Sequence, residues 1–190
     1  MDAVMTREQW LDSAVEQFRE RVELACEARL GAVKVSVGFP SKRATSAKNK
    51  AVGQCWHHEL VKQDAAHVFI SPLVADPVIV LGIVLHELCH AALPAKTGHK
   101  AAFARAIKRL GLEGKPTSTV VGAELADRLN DETLPVLGPY PHQAFDVSTL
   151  AKKQSTRLRL YECQCPVKVR VARDDFDATC NWCDSKFVQG

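Results

Sequence analysis

A chain of 190 residues, 46% hydrophobic and 25% charged, can hold one compact domain plus a small module, and it is too apolar to be a disordered segment. Its net charge of +3 is too mild to argue for nucleic acid by itself. Seven cysteines, behind a Met1 to Trp10 stretch that carries Asp2, Arg7 and Glu8 in place of an apolar leader, argue against a secreted disulfide scaffold. Reduced, metal-binding thiols in a cytoplasmic protein are the expectation.

Thr6-Arg7-Glu8-Gln9 has the form of a capping box, and Trp10, Ala14, Phe18 and Val22 follow at helical spacing. They predict a first helix running to about Leu30 and ended by Gly31. Val33, Val35 and Val37 alternate with Lys34 and Ser36, the pattern of a half-buried strand. Between Pro40 and Lys50 the chain is basic, with Lys42, Arg43, Lys48 and Lys50 and no acid, which reads as a solvated loop able to touch phosphate. Gly53 to Val61 and His67 to Ser71 read as two further strands. On a strand, His57 and His58 would point to opposite faces, so no metal is expected there.

Asp76-Pro77 starts the next predicted helix, with the acid at the cap and proline in the first turn, and it runs to about Leu93 before Pro94. The apolar run Val78 to Leu85 is too short to span a bilayer, so no membrane partner is expected. The same helix carries His86-Glu87-Leu88-Cys89-His90. Two histidines four residues apart on a helix share a face and can bind one Zn²⁺, while Glu87, about 100° further round, is free to take a proton from the attacking water and pass it to a leaving amine. Buried without an ion, two imidazoles and a carboxylate on so apolar a helix would be costly. A catalytic zinc needs a third protein ligand. His99, expected to open the next helix (about His99 to Leu110) behind Gly98, is the choice, with Glu113, Glu124 and Asp127 as alternatives. Cys89 is expected to pack as a small apolar group, and His67 and His142 to be structural or exposed.

A short helix from about Thr119 to Asn130 is followed by Pro135, Gly138, Pro139 and Pro141, and residues 130–155 read as a linker. In 156–190, Cys163-Gln164-Cys165 and Cys180-Asn181-Trp182-Cys183 form two pairs at opposite ends of a predicted hairpin that turns at Asp174-Asp175. Four such thiols make a structural zinc site, a zinc ribbon, with Tyr161, Trp182 and Phe187 as its expected minimal core. In and just before this segment Lys152, Lys153, Arg157, Arg159, Lys168, Arg170, Arg173 and Lys186 concentrate positive charge, set against the acids Glu162, Asp174, Asp175, Asp177 and Asp184. With Lys42 and Arg43, Lys168, Arg170 and Arg173 are the candidate nucleic-acid contacts.

The order of parts resembles the SprT-like family, which includes the Spartan proteases. The resemblance runs through Gly53-Gln54-Cys55, the strand from His67 to Leu73, His86-Glu87-Leu88-Cys89-His90-Ala91, Gly98-His99 with Phe103, and the Lys168-Val169-Arg170-Val171 strand of the ribbon. It implies an α+β, zincin-like metalloprotease domain over 1–150 and a zinc ribbon over 156–190. It further implies His86, His90 and His99 on a catalytic zinc, Glu87 as general base, a second zinc on the four cysteines, a protein or peptide substrate, and DNA as a partner. The rival expectation is a non-catalytic adaptor that holds nucleic acid or a transcription or replication partner through the ribbon.

Overall fold

Thr6 opens α1 (Arg7–Cys26): its hydroxyl accepts from the Gln9 N–H at 3.2 Å, and the Gln9 side chain accepts from the Thr6 N–H at 2.8 Å. The computed structural model describes residues 5–46, 50–147 and 158–190; Asp2, Lys48, Lys152, Lys153 and Arg157 lie outside them. α1 stops short of the Leu30 expected from its pattern. Glu27 turns left-handed (φ 53°), and the Ala28 N–H returns to the Glu23 carbonyl. Side chains then hold the exit: the Glu23 carboxylate accepts from the Leu30 N–H and Arg19 donates to the Leu30 carbonyl.

The fold is mixed α+β, in two compact units, Met1–Asp146 and Val147–Gly190. The first unit centres on a three-stranded sheet in the order β1 (Ala32–Val37), β3 (Ala65–Ile70), β2 (Gly53–Trp56), with β1 and β3 parallel and β2 antiparallel at the edge. Alternation sends Val35, Val68 and Ile70 into the core beneath α1 and α3 (Pro77–Ala92), and turns Lys34, His67 and Trp56 to the other face. β2 ends at Trp56 rather than running to Val61: His57 caps a helical turn, α2 (His58–Val61), by accepting from the Glu59 N–H at 3.2 Å.

The helix predicted from Asp76-Pro77 is α3. Asp76 accepts from the Ile79 N–H at 2.9 Å, and burial on nearly all sides, Cys89 included, follows from its apolar sequence. After a 3-10 turn at Ala95–Thr97, α4 begins at Ala101, so His99 precedes that helix instead of opening it; α4 (Ala101–Leu110) closes on left-handed Gly111. The predicted helix from Thr119 is a correction. The β-branched run Ser118-Thr119-Val120-Val121 forms β5 (Ser118–Val121) of a hairpin with β4 (Leu112–Lys115), and helix begins only at α5 (Ala123–Arg128). The hairpin packs hard on α3: a Cβ at Gly82 would lie 2.4 Å from Val121 Cγ2.

Residues 130–146 are packed rather than linker-like. They hold α6 (Leu134–Leu137), and the Gly138 carbonyl accepts from Trp10 Nε1 at 3.0 Å. Tyr140 sits on Trp10, and His142 bridges Arg7 and the Pro72 carbonyl. Among the described residues no helix is long and apolar enough to cross a membrane.

The second unit is a sheet in the order β7 (Lys168–Val171), β6 (Arg159–Glu162), β8 (Val188–Gln189). Its hairpin is β6–β7, which turns at Cys163-Gln164-Cys165, and not a pair joined at Asp174-Asp175; the Asp174 carbonyl instead accepts from the Tyr161 hydroxyl at 2.9 Å. Tyr161 is buried and touches Phe176, whereas Trp182, expected in the core, is 87% exposed.

Candidate metal centre and active site

The helical spacing of His86 and His90 brings their rings to one face of α3, and the loop through Gly98 (φ 49°) carries His99 back to them. His99 Nε2 lies 3.2 Å from His90 Nε2 and 3.4 Å from His86 Nε2. A tetrahedral ion with Zn–N bonds of about 2.0–2.1 Å sets its nitrogens roughly 3.3–3.4 Å apart, so the three imidazoles fit such an ion. Burial pushes His86 down to about 4 and His90 to about 3, and lowers His99, so the rings are neutral and keep lone pairs to converge. None of Glu113, Glu124 and Asp127 joins the group; His99 closes it.

Two residues hold the triad in place. Thr119 Oγ1 lies 2.9 Å from His86 Nδ1, so an Nδ1–H donated to it leaves the Nε2 lone pair facing the site. Phe103, fully buried on α4, stacks on His90 (centroids 4.1 Å, 21°) and meets His86 and His99 edge-on. Phe103 was legible in the sequence four residues after His99. Thr119 was not, because its role depends on β5 crossing α3.

Glu87 is 6% exposed, and burial pushes its carboxyl up to about 8, opposed by a hydrogen bond from the Cys55 backbone. The edge strand β2 therefore aims the general-base candidate. Gly53 makes room for it: a Cβ there would lie 2.4 Å from Glu87 Oε1 and 2.6 Å from Ile83 Cγ2. Gly53→Ala is thus expected to turn the carboxylate away from the histidines. Metal content should stay that of the wild type while turnover drops at least tenfold, and overpacking should cost about 1–3 kcal/mol of stability in thermal melts. Unchanged turnover would show that the carboxylate has room to move.

The triad and Glu87 open into a cleft of about 750 Å³ whose walls are largely apolar, with Val52 and Cys55 on one side, Val78 and Ile83 below, and Thr119 and Val121 opposite.

His57, His58 and Glu59 also bring ligand atoms within 4.8 Å of one another, so opposite strand faces do not separate them. The His57 ring is already committed: Nδ1 accepts from the Glu59 N–H, and the Leu93 carbonyl takes a further hydrogen bond from the ring. The group acts as a helix cap that ties β2 to the end of α3.

In the second unit Cys163, Cys165, Cys180 and Cys183 gather within 4.8 Å, a closed four-thiol set with the donor chemistry of a structural zinc site. The Ser185 hydroxyl, 3.0 Å from the Cys183 sulfur, holds that thiol down to about 6. Of the candidate nucleic-acid contacts here, Lys168 pairs with Glu162 at 2.6 Å and Arg173 with both carboxylate oxygens of Asp175, while Arg170 is exposed. Lys42 and Arg43 are exposed on the loop after β1.

No family model matches the chain, and neither the curated proteins nor the solved structures contain a match to it.

Proposed function

We propose that this chain is a zinc-dependent endopeptidase of the SprT-like kind, a zincin-like catalytic unit followed by a zinc ribbon. The observation that carries the reading is the convergence of three neutral imidazole nitrogens beside a buried glutamate in one cleft. His86, His90 and His99 would hold the zinc, whose charge supplies a Lewis acid for the scissile carbonyl and for the attacking water. Glu87 takes a proton from that water at its carboxylate, oriented by the Cys55 N–H, and delivers it to the leaving amine. Thr119 fixes the His86 tautomer, and Phe103 keeps the rings from turning.

A polypeptide fits this cleft better than a small amide does. Val52 and, from the edge strand β2, Gly53 to Cys55 line it, and an extended chain can add to such an edge through its own backbone. The apolar walls then receive alternate side chains. The Cys163, Cys165, Cys180 and Cys183 site would hold a second, structural zinc with no place for water.

The test is hydrolysis of an unfolded protein by the purified chain before and after chelation. Cleavage should stop when zinc leaves the three-histidine site and return with one equivalent of zinc. Cleavage that survives complete removal of metal would overturn the reading, as would a fully loaded chain that hydrolyses nothing.

A further inference from the structure

The cleft beside the three histidines is lined almost without charge. Among the described residues that border it, Lys50 and Glu87 are the only acidic or basic side chains apart from the histidines. Its floor is α3, where Ile79, Ile83 and Glu87 recur at intervals of four and share a face, with about 6 Å along the axis between successive members. The histidines stand at and beyond the Glu87 end, which leaves the end before it as a separate slot.

Hydrocarbon closes this slot on each side. Val52, leading into β2, borders it on one side, and Val121 of β5 borders it on the other. Val121 rests directly on α3 because position 82 is glycine: a Cβ there would lie 2.4 Å from Val121 Cγ2. Ile83 is 9% exposed at the bottom, and Ile79 is 52% exposed at the mouth. A lone exposed isoleucine is ordinary on a protein surface, but this one continues an apolar wall into a cleft.

Proton transfer decides which part of a peptide meets the slot. Glu87 delivers its proton to the leaving amine, so the residue that carries that amine lies against Glu87. Ile83 is its neighbour there, since a Cβ on Gly53 would meet both Glu87 Oε1 and Ile83 Cγ2 within 2.6 Å. We propose that the slot of Val52, Ile79, Ile83 and Val121 selects a large apolar side chain on the residue that carries the leaving amine. The inference rests on the peptidase reading and adds its substrate class: apolar stretches of polypeptide, which a folded protein buries and an unfolded one exposes. A lysine would shed its water here with no carboxylate on the cleft wall but Glu87, which is committed to the attacking water. An aspartate would meet Glu87 as a like charge. Each methylene seated in such a slot discriminates by roughly ten- to two-hundredfold.

The experiment gives the zinc-loaded full chain a set of short, soluble, serine-rich peptides that differ at one central residue: leucine, phenylalanine, lysine, aspartate or glycine. The leucine and phenylalanine peptides should exceed the others in kcat/KM by at least about tenfold, and mass spectrometry should place the cut immediately before the varied residue. Ile79→Asp sets a carboxylate in the first turn of α3, where a helix favours acid, and should raise the lysine-to-leucine ratio at least about tenfold with zinc content unchanged. The same peptides, labelled, are titrated into the zinc-loaded Glu87→Gln chain by fluorescence anisotropy, where the leucine peptide should bind about tenfold more tightly than the lysine peptide. Cleavage without preference, or consistently after the apolar residue, overturns the slot and leaves the peptidase reading standing. Apolar-selective binding with no cleavage of any peptide by the unsubstituted chain keeps the slot and overturns the peptidase reading. Equal binding of all peptides with no cleavage overturns both.

Discussion

Glu87→Gln is expected to lower peptide hydrolysis by at least 10²–10⁴-fold, the range a positioned general base contributes, with zinc content unchanged. Glutamine has the size of glutamate and can still accept from the Cys55 N–H, so the loss would lie in proton transfer rather than in packing. A structural role for Glu87 makes the opposite prediction, because the variant would then keep its activity and lose stability. Melting the metal-free chains separates the two further. The folded carboxyl sits at about 8 against an ordinary 4.5, so folding favours its protonated form and stability falls as pH rises through that window. At pH 7 taking up the proton that keeps this carboxyl neutral in the fold should cost the metal-free wild type on the order of 3 kcal/mol, which glutamine avoids. The metal-free variant should therefore melt higher at pH 7, with the difference closing towards pH 4.5. Zinc should shrink the difference, since a neighbouring cation stabilises the carboxylate. A variant that melts lower than wild type at pH 7 without metal, or cleaves as fast with it, would remove Glu87 from the proposed role.

Cys180→Ser is expected to unfold the second unit while leaving the first intact. Among the described residues of that unit only Tyr161 and Cys180 are buried apolar groups, and its strands are two to four residues long. So small a core cannot offset the conformational entropy of ordering the segment, whereas a four-thiolate zinc site supplies roughly 10 kcal/mol or more. Amide hydrogen exchange is the direct measurement. Residues 159–162 and 168–171 should lose protection, while α3 and β3 keep theirs. The variant should retain one equivalent of zinc, held by His86, His90 and His99, and hydrolysis of a small unfolded substrate should persist. Protection that survives in β6 and β7 would mean that the sheet stands without metal, and the ribbon reading would fail.

Much of the site could be read without a structure because it depends on local geometry. His86 and His90 share a face by helical period alone, Asp76 and Pro77 mark where their helix starts, and Thr6 with Gln9 marks the start of α1. Local patterns misled where a side chain from elsewhere decided the backbone. Glu27 rather than Gly31 ends α1, with Glu23 and Arg19 holding the exit. His57 caps a turn in place of extending β2, and Thr119 to Val121 pair with β4 instead of coiling. Trp182, expected in the minimal core of the ribbon, is left outside by its place between two cysteines of one tight turn.

The sequence by itself determined the chemistry of the ligands: which helix carries two imidazoles and a carboxylate, and which four thiols belong together. Tertiary structure alone decided how those groups are aimed. Thr119 reaches His86 across 33 residues, and Gly53 and Cys55 seat Glu87 from an edge strand. The reason is one of range. Helical period and caps act within a turn or two, whereas second contacts to a site come from packing between elements distant in the chain, which no local pattern encodes.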